Sequence, residues 1–286
     1  MKVGYLQNMM PGQDLDAITK KTADMGFDTI QLGFHDHACV YDPDLPGQVN
    51  AVMKKYGITI SEVRARWTGP IFWDLKDGPA TLGLVPPEYR AQRVEDILDW
   101  GAFAQKIGVK VISTHLGFIP SNPWHPDYMG TVDALGYICR KLKKSGMEFF
   151  IETGQEHPVC LMRLYEDIGG DIDNLFINYD PGNLFVYGNA NGMDAIDMFA
   201  PYIKEVHAKD GLYPTSGYKL GLQCKMGEGL VDFPLFIRKL KDFGFTGVLC
   251  IENEREREGL ITAEQRYAEI VESKEYLEGL VREICG

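Results

Sequence analysis

The strongest constraint in this chain is a repeat in which short apolar runs alternate with helical stretches, most of them closed by glycine. The runs cover residues 3–6, 27–34, 58–65, 109–114, 147–151, 175–179, 203–206 and 247–251. Runs this apolar read as strands buried on both faces. Between and after them, residues 14–25, 45–56, 86–107, 126–144, 157–168, 193–199, 232–243 and 262–284 have helical spacing. Gly26, Gly57, Gly108, Gly146 and Gly244 stand where several of these helices must stop. Eight repeats of strand then helix in 286 residues predict a parallel sheet covered by helices, closed into a single-domain α/β fold, a (β/α)8 barrel spanning residues 1–286. A doubly wound open sheet is the competing topology, but no G-x-G-x-x-G follows the first strand, so its dinucleotide-binding form lacks its signal. Residues 67–84 fit no regular element and are rich in Trp, Gly and Pro. A loop of this length inside a compact domain is usually a binding loop or lid.

Composition removes several function classes. The net charge of −12 disfavours a nucleic-acid partner. No apolar segment approaches the roughly 20 residues of a membrane span, and no secretory leader precedes the first strand. The six cysteines are dispersed without a C-x-x-C pair, which suits buried free thiols. The chain is expected to be cytoplasmic.

Four consecutive strands end in residues that bind cations: Glu152, Asp180, His207 and Glu252. In a barrel all strand C-termini face one mouth, so these side chains converge. Any one of them alone reads as a polar strand end held by backbone or water. Three carboxylates together do not all stay ionised in a partly buried site without a cation. Three oxygen donors and an imidazole predict one divalent metal ion, Mn²⁺ first, with Mg²⁺, Co²⁺ and Zn²⁺ behind it.

The motifs around these residues are ETGQE (Glu152 to Glu156), NYDPGNL (Asn178 to Leu184), VHAKDG (Val206 to Gly211), MGEGLVDF (Met226 to Phe233) and CIENE (Cys250 to Glu254). In this order the chain resembles the xylose-isomerase-like TIM-barrel superfamily, in particular its sugar phosphate isomerase/epimerase branch, which is similar to ketose 3-epimerases and inosose dehydratases. The resemblance implies that Glu152, Asp180, His207 and Glu252 hold the metal and that Glu152 and Glu252 are also the catalytic proton carriers. The implied reaction is isomerisation or epimerisation of a small-molecule sugar or keto-sugar. A proton leaves the carbon next to a carbonyl, and a metal-stabilised cis-enediolate forms. Two positions depart from the ketose epimerases: Asn183 stands where they place a histidine, and Gln223 roughly where they have an arginine. The grip on a ketose is therefore open. A lyase or dehydratase acting on a keto-sugar or inosose uses the same metal and glutamates. A non-catalytic sugar-binding barrel is the reading that loss of Glu152 or Glu252 would have favoured. Hydrolysis of abasic DNA, as in the related endonuclease barrels, calls for many histidine ligands, and the chain has six histidines in all.

Other residues at the same mouth are candidates for substrate binding or for bracing the ligands. His115 ends the fourth strand, Glu156 follows the Gly154 turn, and Lys209 and Asp210 follow His207, with Asp210 able to ligate or brace the metal. Gly227-Glu228-Gly229 is a weak phosphate-loop signal. Trp67 is read as a sugar-stacking residue, with Phe72, Trp73 and Trp124 assigned to packing. These aromatics equally suit a subunit contact, which would make the protein a homo-oligomer. His35 and Glu62 are read as structural.

Overall fold

The computed structural model describes all 286 residues. The barrel strands are β1 (Lys2–Met9), β2 (Thr29–Phe34), β3 (Thr59–Arg64), β4 (Val111–Thr114), β5 (Glu148–Glu152), β6 (Leu175–Tyr179), β7 (Ile203–Ala208) and, after a small hairpin, β10 (Val248–Ile251). They pair in parallel in the order β1-β10-β7-β6-β5-β4-β3-β2 and close on themselves. The closing seam sets Tyr5 opposite Ile251, so the first strand runs on beyond the end of the last. This is a (β/α)8 TIM barrel, as the repeat predicts.

The helices are α1 (Leu15–Asp24), α2 (Leu45–Tyr56), α3 (Pro87–Lys106), α4 (Pro126–Lys143), α5 (Pro158–Asp167), α6 (Pro181–Val186), α7 (Gly192–Phe199), α8 (Phe233–Asp242) and α9 (Ala263–Cys285). Their ends follow local chemistry. Asp14 caps α1 by accepting from the Asp16 and Ala17 amides, and Thr262 with Gln265 forms a capping box on α9. Gly57 stops α2 in the left-handed region at φ +68°, where a side chain would be strained. Apolar faces of strands and helices meet in one core that includes fully buried Trp100, Phe149 and Phe236. Each such chain contributes about 1.5–3 kcal/mol by leaving water. No helix is long and apolar enough to cross a membrane, and all six cysteines are unpaired.

Two elements lie outside the sequence expectation. Helix α6 begins directly after Asp180 and is buried on every side, so it shows no amphipathic period to read. The antiparallel pair β8 (Asp210–Gly211) and β9 (Gln223–Cys224) is too short to leave a pattern. The long loop of residues 67–84 is pinned from α3. Asp96 accepts from the Thr68 amide and hydroxyl, and Arg93 donates to the Gly83 and Pro70 carbonyls.

Candidate metal centre

Glu152, Asp180, His207 and Glu252 come together at the C-terminal mouth of the barrel. One ligand atom from each lies within 4.8 Å of the others, and all four residues are buried. Strand β5 ends on Glu152. Strand β6 ends one residue before Asp180, whose carboxylate caps α6 by accepting from the Asn183 amide at 2.7 Å. Strand β7 carries His207 before its end, and Glu252 follows β10.

The centre is crossed by two buried cations. Arg64, the last residue of β3, forms an ion pair with Glu152 and lies 3.8 Å from Glu252. Lys209 donates to Glu252 at 2.6 Å and stands 3.4 Å from Asp180. His207 reaches Glu152 at 3.1 Å and Glu252 at 3.4 Å through Nδ1, while its Nε2–H donates to Gln31. Both ring nitrogens therefore face acceptors, which describes an imidazolium. Burial by itself would lower its pKa, but the charges of Glu152 and Glu252 raise it to about 10. Burial likewise opposes ionisation of Glu152, yet Arg64, His115 and His207 bring it to about 2. Glu252 is held well below the ordinary carboxylate range by Lys209 and His207 against the same burial cost. Asp180 behaves differently. Burial raises it to about 7, and Lys209 offsets this only in part.

The donor set fits a hard divalent cation. Such an ion, with bonds of about 2.0–2.4 Å, spans about 4–4.8 Å between opposite ligands. Asp180 Oδ2 is buried with no hydrogen-bond donor, an orphan lone pair at the centre of the cluster. Gln31 on the far side of the His207 ring fixes its orientation, as an outer partner of a ligating histidine must.

The remaining residues fall into distinct environments. His115 lies in the centre, with Nε2 at 3.1 Å from Glu152 and 3.0 Å from Arg64; burial lowers its pKa to about 4, so the ring is neutral. Asn183 donates to Glu152 Oε1 at 3.0 Å and to the Thr153 carbonyl at 3.1 Å. Gln223 donates to the Glu252 carbonyl and accepts from the Glu254 amide, both at 2.8 Å. The two positions that depart from the ketose epimerases thus orient the segments carrying the two glutamates. Glu156 is buried behind the Gly154 turn, where it accepts from the Gly154 amide and burial raises its pKa to about 8.

Asp210 is turned away from the cluster. Its carboxylate accepts from the amides of Gly211, Gly227, Gly229 and Val231 at 2.8–3.0 Å. The glycine loop that suggested a phosphate cradle therefore already wraps an anion, this one supplied by the protein. A Cβ on Gly229 would come within 2.2 Å of that carboxylate, which is why the position is glycine. Trp67 is also displaced from its expected place. It is buried between Trp73 and the Arg93 guanidinium, and Trp73 is the aromatic that faces the centre, packed edge-on against His115 at 5.2 Å. Trp124 is 90% exposed and packs on nothing. Arg64 was missed in the sequence because it is a charged residue inside a strand pattern; its signal was that it shares a strand face with Glu62.

Above the cluster lies a cavity of about 330 Å³ bordered by Trp73, Asn183, Tyr187, Lys209, Glu254 and Arg257, among others. That is at the small end of the range for ligand cavities.

The model of the family described as xylose isomerase-like TIM barrel matches residues 19–278. An uncharacterized protein of Methanocaldococcus jannaschii is 27% identical over 210 residues, 68% of this chain and 68% of its own. The crystal structure of a xylose isomerase domain protein from Planctomyces limnophilus has a TM-score of 0.85 at 26% identity, covering 99% of this chain and 97% of that one. An L-ribulose 3-epimerase shares the fold at a TM-score of 0.71 and 18% identity, covering 99% of this chain and 97% of that one.

Proposed function

The chain belongs to the xylose isomerase-like TIM barrel family, and from that premise we propose that it is a divalent-metal-dependent sugar isomerase or epimerase. The observation that carries this reading is the convergence of Glu152, Asp180, His207 and Glu252 within 4.8 Å beneath a small cavity. These four residues would hold the cation. When bound, it withdraws electrons from a substrate carbonyl and the neighbouring hydroxyl, so the C–H between them becomes acidic.

The other work belongs to the protein. Glu152 and Glu252 are both ionised at neutral pH, so either can accept a proton from carbon. They come from two different strands, β5 and β10, to the same His207 nitrogen, and in this reading would flank the substrate. Proton removal by one and return by the other to the same carbon inverts it. Return to the adjacent carbon exchanges ketose and aldose. Asn183 keeps Glu152 aimed, and Gln223 does the same for the segment of Glu252. Neutral His115, beside both Glu152 and the Trp73 ring, is placed to hydrogen-bond a substrate hydroxyl.

The test is metal analysis of the purified protein followed by NMR of substrate C–H exchange in D₂O. The panel is free ketoses, phosphorylated ketoses, inososes and 3-oxo-glucosides. Exchange at the carbon next to the carbonyl is expected for at least one class. Metal-loaded protein that exchanges none of them would overturn the proposal.

A further inference from the structure

The cations around the metal centre are matched by acids, with one exception.

Arg64 pairs with Glu152, Lys209 with Glu252, and Arg257 with Glu254. Arg66 is half-buried and makes no ion pair, and its backbone is tied by the Trp100 indole N–H, which donates to the Arg66 carbonyl at 2.9 Å. It follows β3 by two residues, on the C-terminal side of the barrel where the mouth lies. Gly33 is the register partner of Arg64, so His35 and Arg66 leave adjacent strands side by side. His35 Nε2 is buried with no hydrogen-bond partner. Burial and the nearby charges of Arg66, Arg257 and Arg64 lower the His35 pKa to about 3 and keep the ring neutral. Burial and the same neighbours bring Arg66 down to about 10, where it is still charged at neutral pH.

From this juxtaposition we infer that the substrate carries an anionic group, a carboxylate or a phosphate, bound by Arg66 with His35 beside it and Arg257 nearby. A guanidinium without an acid partner offers a planar fork that matches either oxyanion. His35 supplies the neutral donor a partner anion needs. A neutral sugar would leave Arg66 unpaired. This inference rests on the reading of the centre as a cation-dependent enolising site and names the substrate class of that site.

The test uses three ketoses that differ only at C6: D-fructose, D-fructuronate and D-fructose 6-phosphate. Each is titrated calorimetrically into the full chain, first as purified and then loaded with Mn²⁺. At least one anionic ketose is expected to bind about tenfold or more tightly than fructose. The two anionic arms distinguish a carboxylate from a phosphate. In Arg66→Gln the ratio of anion to fructose affinity should collapse towards one, with Arg66→Lys restoring part of it, and thermal unfolding should report an intact fold. Equal affinity for all three ketoses, or an advantage that survives both Arg66→Gln and the Arg66→Gln/Arg257→Gln pair, overturns the inference. Selective, Arg66-dependent binding without C–H exchange in D₂O would uphold the anion site and count against the enolisation reading.

Discussion

At the mouth of the barrel Glu152 and Glu252 lie against Arg64, Lys209 and a charged His207. One layer down, inside the barrel, Glu62 and Glu205 meet neutral hydrogen-bonding partners. Ser113 and Asn178 donate to Glu62, and Gln31 and Ser61 donate to Glu205. All four acids are buried. Glu152 is held at about 2 and Glu252 well below the ordinary carboxylate range, whereas burial carries Glu62 to about 7 and Glu205 to about 8. Depth in the protein is therefore not what makes a carboxylate a charge. Its partners decide, and of these two layers only the one at the mouth sets cationic side chains in direct contact with its glutamates.

Substitution by glutamine tests that contrast most directly. Glu152→Gln and Glu252→Gln should each lower the rate of C–H exchange by about 10²–10⁴, the usual contribution of a positioned acid or base. The same change at Glu62 should leave exchange close to wild type. NMR of exchange in D₂O on one substrate compares all three, and an equal loss at Glu62 would erase the distinction between the layers.

Cation binding is the next largest effect. Mn²⁺ at a hundred times its dissociation constant should stabilise the protein by about 2.7 kcal/mol, seen as a higher Tm. His207→Asn should remove most of that shift. The His207 pKa of about 10 means a proton must leave when the cation binds at neutral pH, so affinity should rise with pH through this range. Calorimetry in buffers of different ionisation heat counts the protons released. A Tm shift that persists in His207→Asn would place the cation elsewhere.

Asp210 extends the comparison to a third kind of buried acid, one neutralised by backbone amides alone. Asp210→Asn weakens four such bonds and should cost about 1–3 kcal/mol in urea unfolding, with cation binding retained. Loss of the cation with the fold intact would return Asp210 to the centre.

The smallest effect is a pH dependence. Glu62 is raised to about 7 in the folded chain, against about 4.5 unfolded, because burial favours its neutral form. Its contribution is fully present below the unfolded value. It is lost as pH rises through that interval, where the unfolded chain gives up the proton first. Glu62→Gln should therefore match wild type at pH 4 and be more stable at pH 8. A glutamine variant less stable at pH 8 would show that Glu62 is ionised and paired.

These contrasts mark how far the sequence could be read. The barrel was legible because its periodicity is local: each apolar run and each closing glycine is visible within a few residues. The convergence of Glu152, Asp180, His207 and Glu252 was legible too, since parallel strands put their C-termini at one mouth whatever the loops do. Partners were not. Arg64 comes from β3 to Glu152 on β5, Gln31 comes from β2 to His207 on β7, and Asp210 draws in a loop some twenty residues later. Trp67 and Trp73 look alike in the loop, and only packing turns the first inward and the second towards His115. By itself the sequence determined that the strand ends Glu152, Asp180, His207 and Glu252 meet at the mouth. The closed barrel decided which of them stay charged, because protonation follows neighbours across the barrel and those are set by closure.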